Sequence, residues 1–420
     1  MAKMKVYLAS VGCKLNQSEI ETLACRFIAA GHCVVPAPEE ADVCVFNSCV
    51  VTHVAARKSR QAVRRLRRCN PAARVVVTGC YAQVAPDDLE ADVTVSNADK
   101  EQLVETLLGE GAIAPVPPFS LSPLSLPYRR TRAFVKIQDG CDNGCTYCIT
   151  RVARGPQRSR PRADVLAEVQ ARVEAGYQEV VLTGVHLGGY GHDHGQPPRD
   201  SLWQLVTAIL SQTDVRRLRL SSVEPWDVTP DVFELWQDPR LCRHLHLPLQ
   251  SGSDDVLRRM GRRYTVAEFA RLVMAARAAI PDVAITTDLI IGFPGETEAH
   301  FSESLASVQS IRFARAHVFP YSVRPGTPAA LLPDHVSSSE KRARAARMRA
   351  LTTWSARKFR GRFIGRTVGV LWESRSNGQW RGLTDNYLRV ATRSDADLAQ
   401  TITSVHLDAV TDDGLYGVVV

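Results

Sequence analysis

Three cysteines crowd the stretch GCDNGCTYC, Gly140 to Cys148, where Cys141, Cys145 and Cys148 are separated by three residues and then two. Structural zinc takes four ligands, often as two Cys pairs, and no second pair or Cys–His set lies near enough in the chain to complete this one. Soft thiolates also suit iron–sulfur clusters, and a four-iron cluster held by three cysteines leaves one iron for a cofactor or substrate. A second trio is spread more widely. KVYLASVGC, DVCVFNSC and RVVVTGC each close a β-branched run on a cysteine, at Cys13, Cys49 and Cys80. Spacings of 36 and 31 residues suit successive strand-helix-strand units, so three parallel strand ends should meet at one sheet edge, where open α/β sheets bind ligands. Cys13, Cys49 and Cys80 could share one cluster, with three separately buried thiols as the alternative. Cys25, Cys33, Cys44, Cys69 and Cys242 show no such pattern and read as structural or incidental.

The elements that must position these groups are legible as patterns. The chain has 420 residues, too many for one ordinary core, with 45% hydrophobic and 23% charged residues and a net charge of +8. That composition is globular, excludes a disordered chain and favours a polyanionic partner. No apolar run approaches a membrane span and the N-terminus carries no secretory core, which places the eleven cysteines in a reducing, cytoplasmic setting. PVPPFSLSPLSLP, Pro115 to Pro127, reads as a linker. Six candidate strands follow: AFVKIQD, EVVLTGV, RRLRLSS, HLHLPLQ, AITTDLIIG and RAHVFPYS, alternating with helical patterns as in a partial or complete barrel. GCDNGCTYC directly follows the first of them, at the barrel mouth. After a basic helical segment, five short strands beginning at TVGVLWESR suggest a small antiparallel barrel. Trp372, Trp380 and Tyr387 could offer stacking faces to bases there, with Arg381 and Arg389 on the backbone. RKSRQAVRRLRR, Arg57 to Arg68, carries seven basic residues in twelve and suits a phosphate-binding helix face, or a merely solvated one.

CDNGCTYC resembles the CxxxCxxC signature of radical S-adenosylmethionine (SAM) enzymes, with Tyr147 before the last cysteine, and DLIIGFPGE resembles that family's fifth-strand SAM motif at Gly292 and Gly295. Across nearly its full length the chain resembles the methylthiotransferases within that family. TGVHLGGYG, LSSVEP, LPLQSGS, RRYT and FPYSVRPGT extend the likeness. The resemblance implies an α/β chain of three domains and a linker: an N-terminal open parallel domain over 1–115 with an auxiliary cluster, a linker over 116–130, a radical SAM partial (β/α)6 barrel over 131–355, and a TRAM-like RNA-binding antiparallel barrel over 356–420. It also implies two [4Fe-4S] clusters, on Cys141/Cys145/Cys148 and on Cys13/Cys49/Cys80, with SAM as cofactor. Tyr147, Glu224, Gln250, Gly292 and Gly295 are the expected cofactor-binding residues, and Arg263 a further polar candidate.

GCKLNQSE and RKSRQ resemble the subgroup acting on threonylcarbamoyladenosine at position 37 of tRNA, in the anticodon stem-loop. Lys14 is the distinguishing residue, and an ammonium there could meet the threonylcarbamoyl carboxylate. The implied chemistry cleaves one SAM to a radical that takes hydrogen from adenine C2, while a second SAM methylates a sulfur on the auxiliary cluster. An aromatic C–H is too weakly acidic for a side-chain base, so a cofactor must supply that reactivity. A flavodoxin or ferredoxin is the expected electron donor. The alternatives are action on isopentenyladenosine-37 or a ribosomal protein, another radical SAM enzyme with an electron-transfer cluster, and a non-catalytic iron–sulfur RNA-binding sensor.

Overall fold

A computed structural model of the chain describes residues 3–108, 130–195 and 201–420. Val-rich runs make its first sheet, because β-branched side chains fill strands covered on both faces. The elements are β1 (Lys5–Ser10), α1 (Lys14–Ala29), β2 (Cys33–Val34), β3 (Val43–Ser48), α2 (His53–Cys69), β4 (Arg74–Gly79), α3 (Cys80–Val84), β5 (Val93–Thr94) and α4 (Leu103–Leu108). The strands form one parallel sheet in the order β2-β1-β3-β4-β5. Phe46, Val75 and Val77 pack against Val63 and Leu66 of α2 on one face, and Val6, Leu8 and Val45 against Ile20, Leu23 and Phe27 of α1 on the other. Cys13 caps the start of α1, Cys49 follows β3 directly and Cys80 opens α3.

The stretch 115–127 lies outside the described residues. Beyond it come β6 (Ala133–Lys136), β7 (Gln138–Asp139), α5 (Thr150–Arg154), β8 (Arg158–Ser159), α6 (Arg162–Glu174), β9 (Val180–Thr183), α7 (Leu202–Gln212), β10 (Leu218–Leu220), β11 (His244–His246), α8 (Asp254–Arg259), α9 (Val266–Ala279), β12 (Ala284–Ile291), α10 (Glu298–Ile311), β13 (Arg315–Pro320) and α11 (Ser338–Gly361). Parallel sheets β6-β9-β10 and β11-β12-β13 meet through parallel bridges at Leu218–Leu241 and Ser222–His246, which makes a six-stranded partial barrel. Its outward apolar residues, Val135, Leu182, Leu220 and Ile285 among them, pack under α6, α7, α9 and α10. The antiparallel pair β7–β8 brackets the cysteine loop.

β14 (Thr367–Ser376), β15 (Gln379–Thr384), β16 (Arg389–Arg393), β17 (Ile402–Val410) and β18 (Leu415–Val419) close into a barrel in the order β14-β15-β16-β18-β17. It is antiparallel except for the β16–β18 pair, which is parallel. Trp372 and Trp380 do not offer stacking faces. Both fill this barrel's core, with their indole N–H groups donating to Thr403 Oγ1 and the Ala396 carbonyl. Arg381 and Arg389 are exposed and line a recess of about 450 Å³.

The two barrels are joined by arginines at the starts of the central strands. Arg219 is fully buried, pairs with Glu179 at 2.7 and 3.0 Å, and donates to the carbonyls of Thr384 and Asp385. Arg217 donates to the carbonyls of Gly369 and Leu383, and Arg243 to the Asp385 carboxylate. Tyr387, held at φ 68°, stacks on His244 with centroids 4.7 Å apart.

Removing one partner of a buried pair strands the other charge, so Glu179→Ala is expected to cost about 3–5 kcal/mol in equilibrium denaturation. Burial alone would raise the Glu179 pKa, but the Arg219 guanidinium holds it below the usual carboxylate range. A depressed folded pKa contributes stability above the unfolded value, roughly 4.3, that is lost as pH falls through the folded value. The gap between wild type and variant should therefore narrow on acidification in that window and hold constant above it.

Candidate active site

The cysteine loop is pinned from several sides. Gln138, fully buried, donates to the carbonyls of Asp139 and Gly140 and accepts from the amides of Val185 and His186. Gly140, at φ 68°, lies so close to the Pro156 carbonyl that a Cβ would collide with it. Cys141 N donates to the Gly155 carbonyl at 3.1 Å, and Thr146 N to that of Met260 at 3.0 Å. Asn143 contacts His186, whose other ring nitrogen is 2.6 Å from Asp227.

Three separate motifs converge on Arg262. Its guanidinium pairs with Glu224 of LSSVEP, donates to the Pro248 carbonyl of LPLQSGS at 3.2 Å, and reaches Cys145 Sγ at 3.5 Å. Arg263, the neighbour singled out from sequence, is exposed and lies over the Trp226 ring instead. Burial pushes the Tyr147 hydroxyl well above its ordinary pKa, with Cys145, Cys148 and Glu224 adding to the rise against Arg262. Gln250 has φ 66° and joins β12 through its backbone, donating to the Asp288 carbonyl and accepting from Ile290 N. Gly292 and Gly295 follow β12 at φ 75° and 74°, which a side chain would adopt only under strain. The Gly292 amide donates to Glu296 Oε1 at 3.0 Å, and side chains of Lys341 and Arg259 press on the two glycines.

The second trio is gathered beside it. Cys13, Cys49 and Cys80 act on one another electrostatically, and Gly12, at φ 121°, makes room for Cys49: a Cβ there would lie 2.8 Å from Cys49 Cβ. Arg154, at the end of α5, connects the two trios. Its Nε donates to Cys80 Sγ at 3.2 Å, Nη1 to Glu19 and Asp139 at 2.9 Å each, and Nη2 to Asn16 at 2.8 Å. Burial opposes ionisation of Glu19, yet Arg154, Lys100 and Lys136 hold it well below the usual carboxylate range. Asn16 fastens this cluster to the sheet by donating to the carbonyls of Val11 and Ser48. The motif GCKLNQSE contained Asn16 and Glu19, but Arg154 had no signal beyond proximity to the cysteines. Lys14 follows Cys13 but extends to the Tyr387 ring, with its Nζ 5.6 Å from the ring centre.

Among the described residues no three His, Cys, Asp or Glu side chains converge tightly enough for a single metal ion. A cluster distributes its thiolates over separate irons, so the looser trios fit such a group, and each offers only sulfur donors. Each trio also presents one sulfur to a buried guanidinium. Burial pushes Cys49 up to about 12 and Cys141 up to about 11, so loading either set with metal must displace protons.

Comparison with known proteins accords with this geometry. Residues 135–308 match the family model of the Radical SAM superfamily, and residues 5–99 that of the Uncharacterized protein family UPF0004. The solved structure of the radical SAM methyltransferase TsrM from Kitasatospora setae shares the fold, with a TM-score of 0.57 at 15% identity over 79% of this chain and 77% of that one. The chain is 36% identical over 419 residues to the threonylcarbamoyladenosine tRNA methylthiotransferase of Bacillus subtilis, covering 95% of this chain and 92% of that protein. Its counterpart from Thermotoga maritima is 39% identical over 379 residues, covering 88% and 86%. The tRNA-2-methylthio-N(6)-dimethylallyladenosine synthase of a Parafrankia strain is 38% identical over 401 residues, covering 88% and 78%. This chain belongs to the radical SAM methylthiotransferase family.

Arg154→Met should cost about 3–5 kcal/mol in equilibrium denaturation by stranding Glu19 and Asp139. Arg154→Lys should recover only part of that, because one ammonium cannot reproduce the forked set of donors. Equal stability of all three proteins would show that Arg154 does not hold the two trios together.

Proposed function

We propose that this protein converts N6-threonylcarbamoyladenosine at position 37 of tRNA to its 2-methylthio derivative. Cys141, Cys145 and Cys148 hold one [4Fe-4S] cluster beside SAM, and Cys13, Cys49 and Cys80 hold the other. The observation that carries this reading is the pair of three-thiol sets fixed on either side of one buried arginine, each without a fourth cysteine among the described residues. When bound, the clusters and SAM supply reductive SAM cleavage, hydrogen abstraction at an adenine carbon and the methylthio group. The chain's own residues bind and orient. Tyr147, Glu224 and Gln250 face the cofactor with the Gly292–Gly295 turn, and Arg262 fixes Glu224 and Cys145 together. An electron donor of the flavodoxin or ferredoxin class delivers the reducing equivalent.

Threonylcarbamoyladenosine is favoured by GCKLNQSE and by the 36% identity over 95% of the chain to the Bacillus subtilis threonylcarbamoyladenosine methylthiotransferase. The second reading is isopentenyladenosine, which the 38% identity to the dimethylallyladenosine synthase keeps in view. Nucleoside mass spectrometry of tRNA from a deletion strain and its complement separates them: 2-methylthio-threonylcarbamoyladenosine should vanish and return. Loss of the isopentenyl counterpart alone would refute the substrate assignment.

The two trios should also fail separately in reconstituted enzyme. Cys145→Ala should abolish SAM cleavage, whereas Cys49→Ala should still cleave SAM and yield no methylthiolated RNA. Methylthiolation by Cys49→Ala would refute the two-cluster scheme.

A further inference from the structure

Beside the second trio lie buried hydrogen-bond donors that no other described residue satisfies. Tyr321 and Arg324, in the FPYSVRPGT stretch after β13, are each 6% exposed. Arg324 Nη2 donates to Ser322 Oγ at 2.6 Å, but Arg324 Nε and the Tyr321 hydroxyl have no partner among the described residues. An unsatisfied buried donor costs roughly 1–3 kcal/mol, and more when charged, so two of them side by side point to an absent acceptor.

The surroundings define the charge of that acceptor. Arg324 lies within electrostatic reach of Cys49, Tyr81 and Tyr321, with no carboxylate among the described groups acting on it. Lys341 Nζ sits 5.3 Å from the Tyr321 ring centre, and its stem packs on Gly292. His53 opens α2, donates its amide to Ser322 Oγ at 3.3 Å, and feels the charges of Arg324, Lys341 and Arg60. Cations and orphaned donors thus fill the space between Cys49 and the Gly292 turn, under the positive end of a 17-residue helix.

We propose that Tyr321, Arg324 and Lys341 form an oxyanion subsite that grips the RNA substrate next to its reacting nucleotide. This inference rests on the tRNA reading above. The guanidinium edge through Nε suits a two-oxygen acceptor, and the Tyr321 hydroxyl adds a further donor. Such an acceptor has two sources on this substrate: a backbone phosphodiester beside position 37, or the threonylcarbamoyl carboxylate. His53 and Arg60 extend the subsite toward the exposed Arg57 and Lys58 of α2, along which a backbone would leave.

The test uses the full chain reconstituted with iron and sulfide, and synthetic anticodon stem-loops carrying adenosine or threonylcarbamoyladenosine at position 37. Binding is read by fluorescence anisotropy across a salt series. Arg324→Gln should weaken binding about 10- to 100-fold and Tyr321→Phe about 3- to 10-fold, as expected for charged and neutral donors. A phosphodiester predicts equal losses with both RNAs, and a salt slope lower by about one for Arg324→Gln that Arg324→Lys restores. A carboxylate predicts losses confined to the threonylcarbamoyl RNA. Tyr321→Phe removes a single oxygen and serves as the variant least able to disturb folding. Unchanged affinity of both variants for both RNAs would overturn the subsite while leaving the tRNA reading intact. Failure of the wild-type protein to bind either RNA would overturn that reading and the subsite with it.

Discussion

The geometry of both cysteine sets depends on the solvation of one buried cation. Arg154 is 4% exposed, and a guanidinium so enclosed survives only if its donors are met. The acceptors come from the chain's distant parts: Asn16 and Glu19 from α1, Cys80 from the mouth of the first sheet, and Asp139 from the strand that leads into the cysteine loop. Satisfying Arg154 therefore forces the first sheet against the central barrel in one register. Lys100 neutralises the remaining charge on Glu19 at 2.7 Å, and Asn47 adds a bond to the same oxygen. The interface is specified by polar geometry, which a purely apolar contact between two such domains would leave free to slide.

The same device appears at the other trio. Arg262 stands to Cys145 as Arg154 stands to Cys80, a buried guanidinium against one sulfur with a carboxylate on its far side. Thiolates bound to iron are anionic, and hydrogen bonds to the sulfurs set how much negative charge a cluster tolerates. Two arginines with fixed orientations give each trio such a donor without needing mobile solvent. Glu224, Pro248 and Tyr264 hold Arg262 in place, which accounts for three motifs scattered along the barrel having a single structural purpose.

Much of this arrangement was legible before any coordinates, for identifiable reasons. Val-rich runs ending on Cys13, Cys49 and Cys80 encode parallel strands locally, so both the sheet and the meeting of its cysteines follow from spacing. The six central strands and the five of the last barrel were visible in the same way. Arg154 and Arg262 were not, since nothing local distinguishes a buried arginine from a solvated one. At RRYT the first arginine turns inward to Glu224 and the second outward onto Trp226, a choice made by the turn after α8 and by partners dozens of residues away. Trp372 and Trp380 misled because large aromatics suit stacked bases and barrel interiors equally well; closure of the barrel consumed both.

Tyr387 shows how the last barrel is tied to the chemistry rather than merely appended to it. Its ring stacks on His244 of β11 and is approached by Arg219 at 4.7 Å, Arg132 at 5.5 Å and Lys14 at 5.6 Å. Three cations around one ring repel one another, and the arrangement holds because Glu179 compensates Arg219 and the aromatic face draws each charge inward. Burial lowers the pKa of Lys14, with Arg132 and Arg219 acting in the same direction against the opposing charges of the Tyr387 hydroxyl and Glu179. Displacing the C-terminal barrel would unstack His244 and uncover these charges together. Because Lys14 is the residue after Cys13, one contact links the position of the C-terminal barrel to the path of the chain at the second trio.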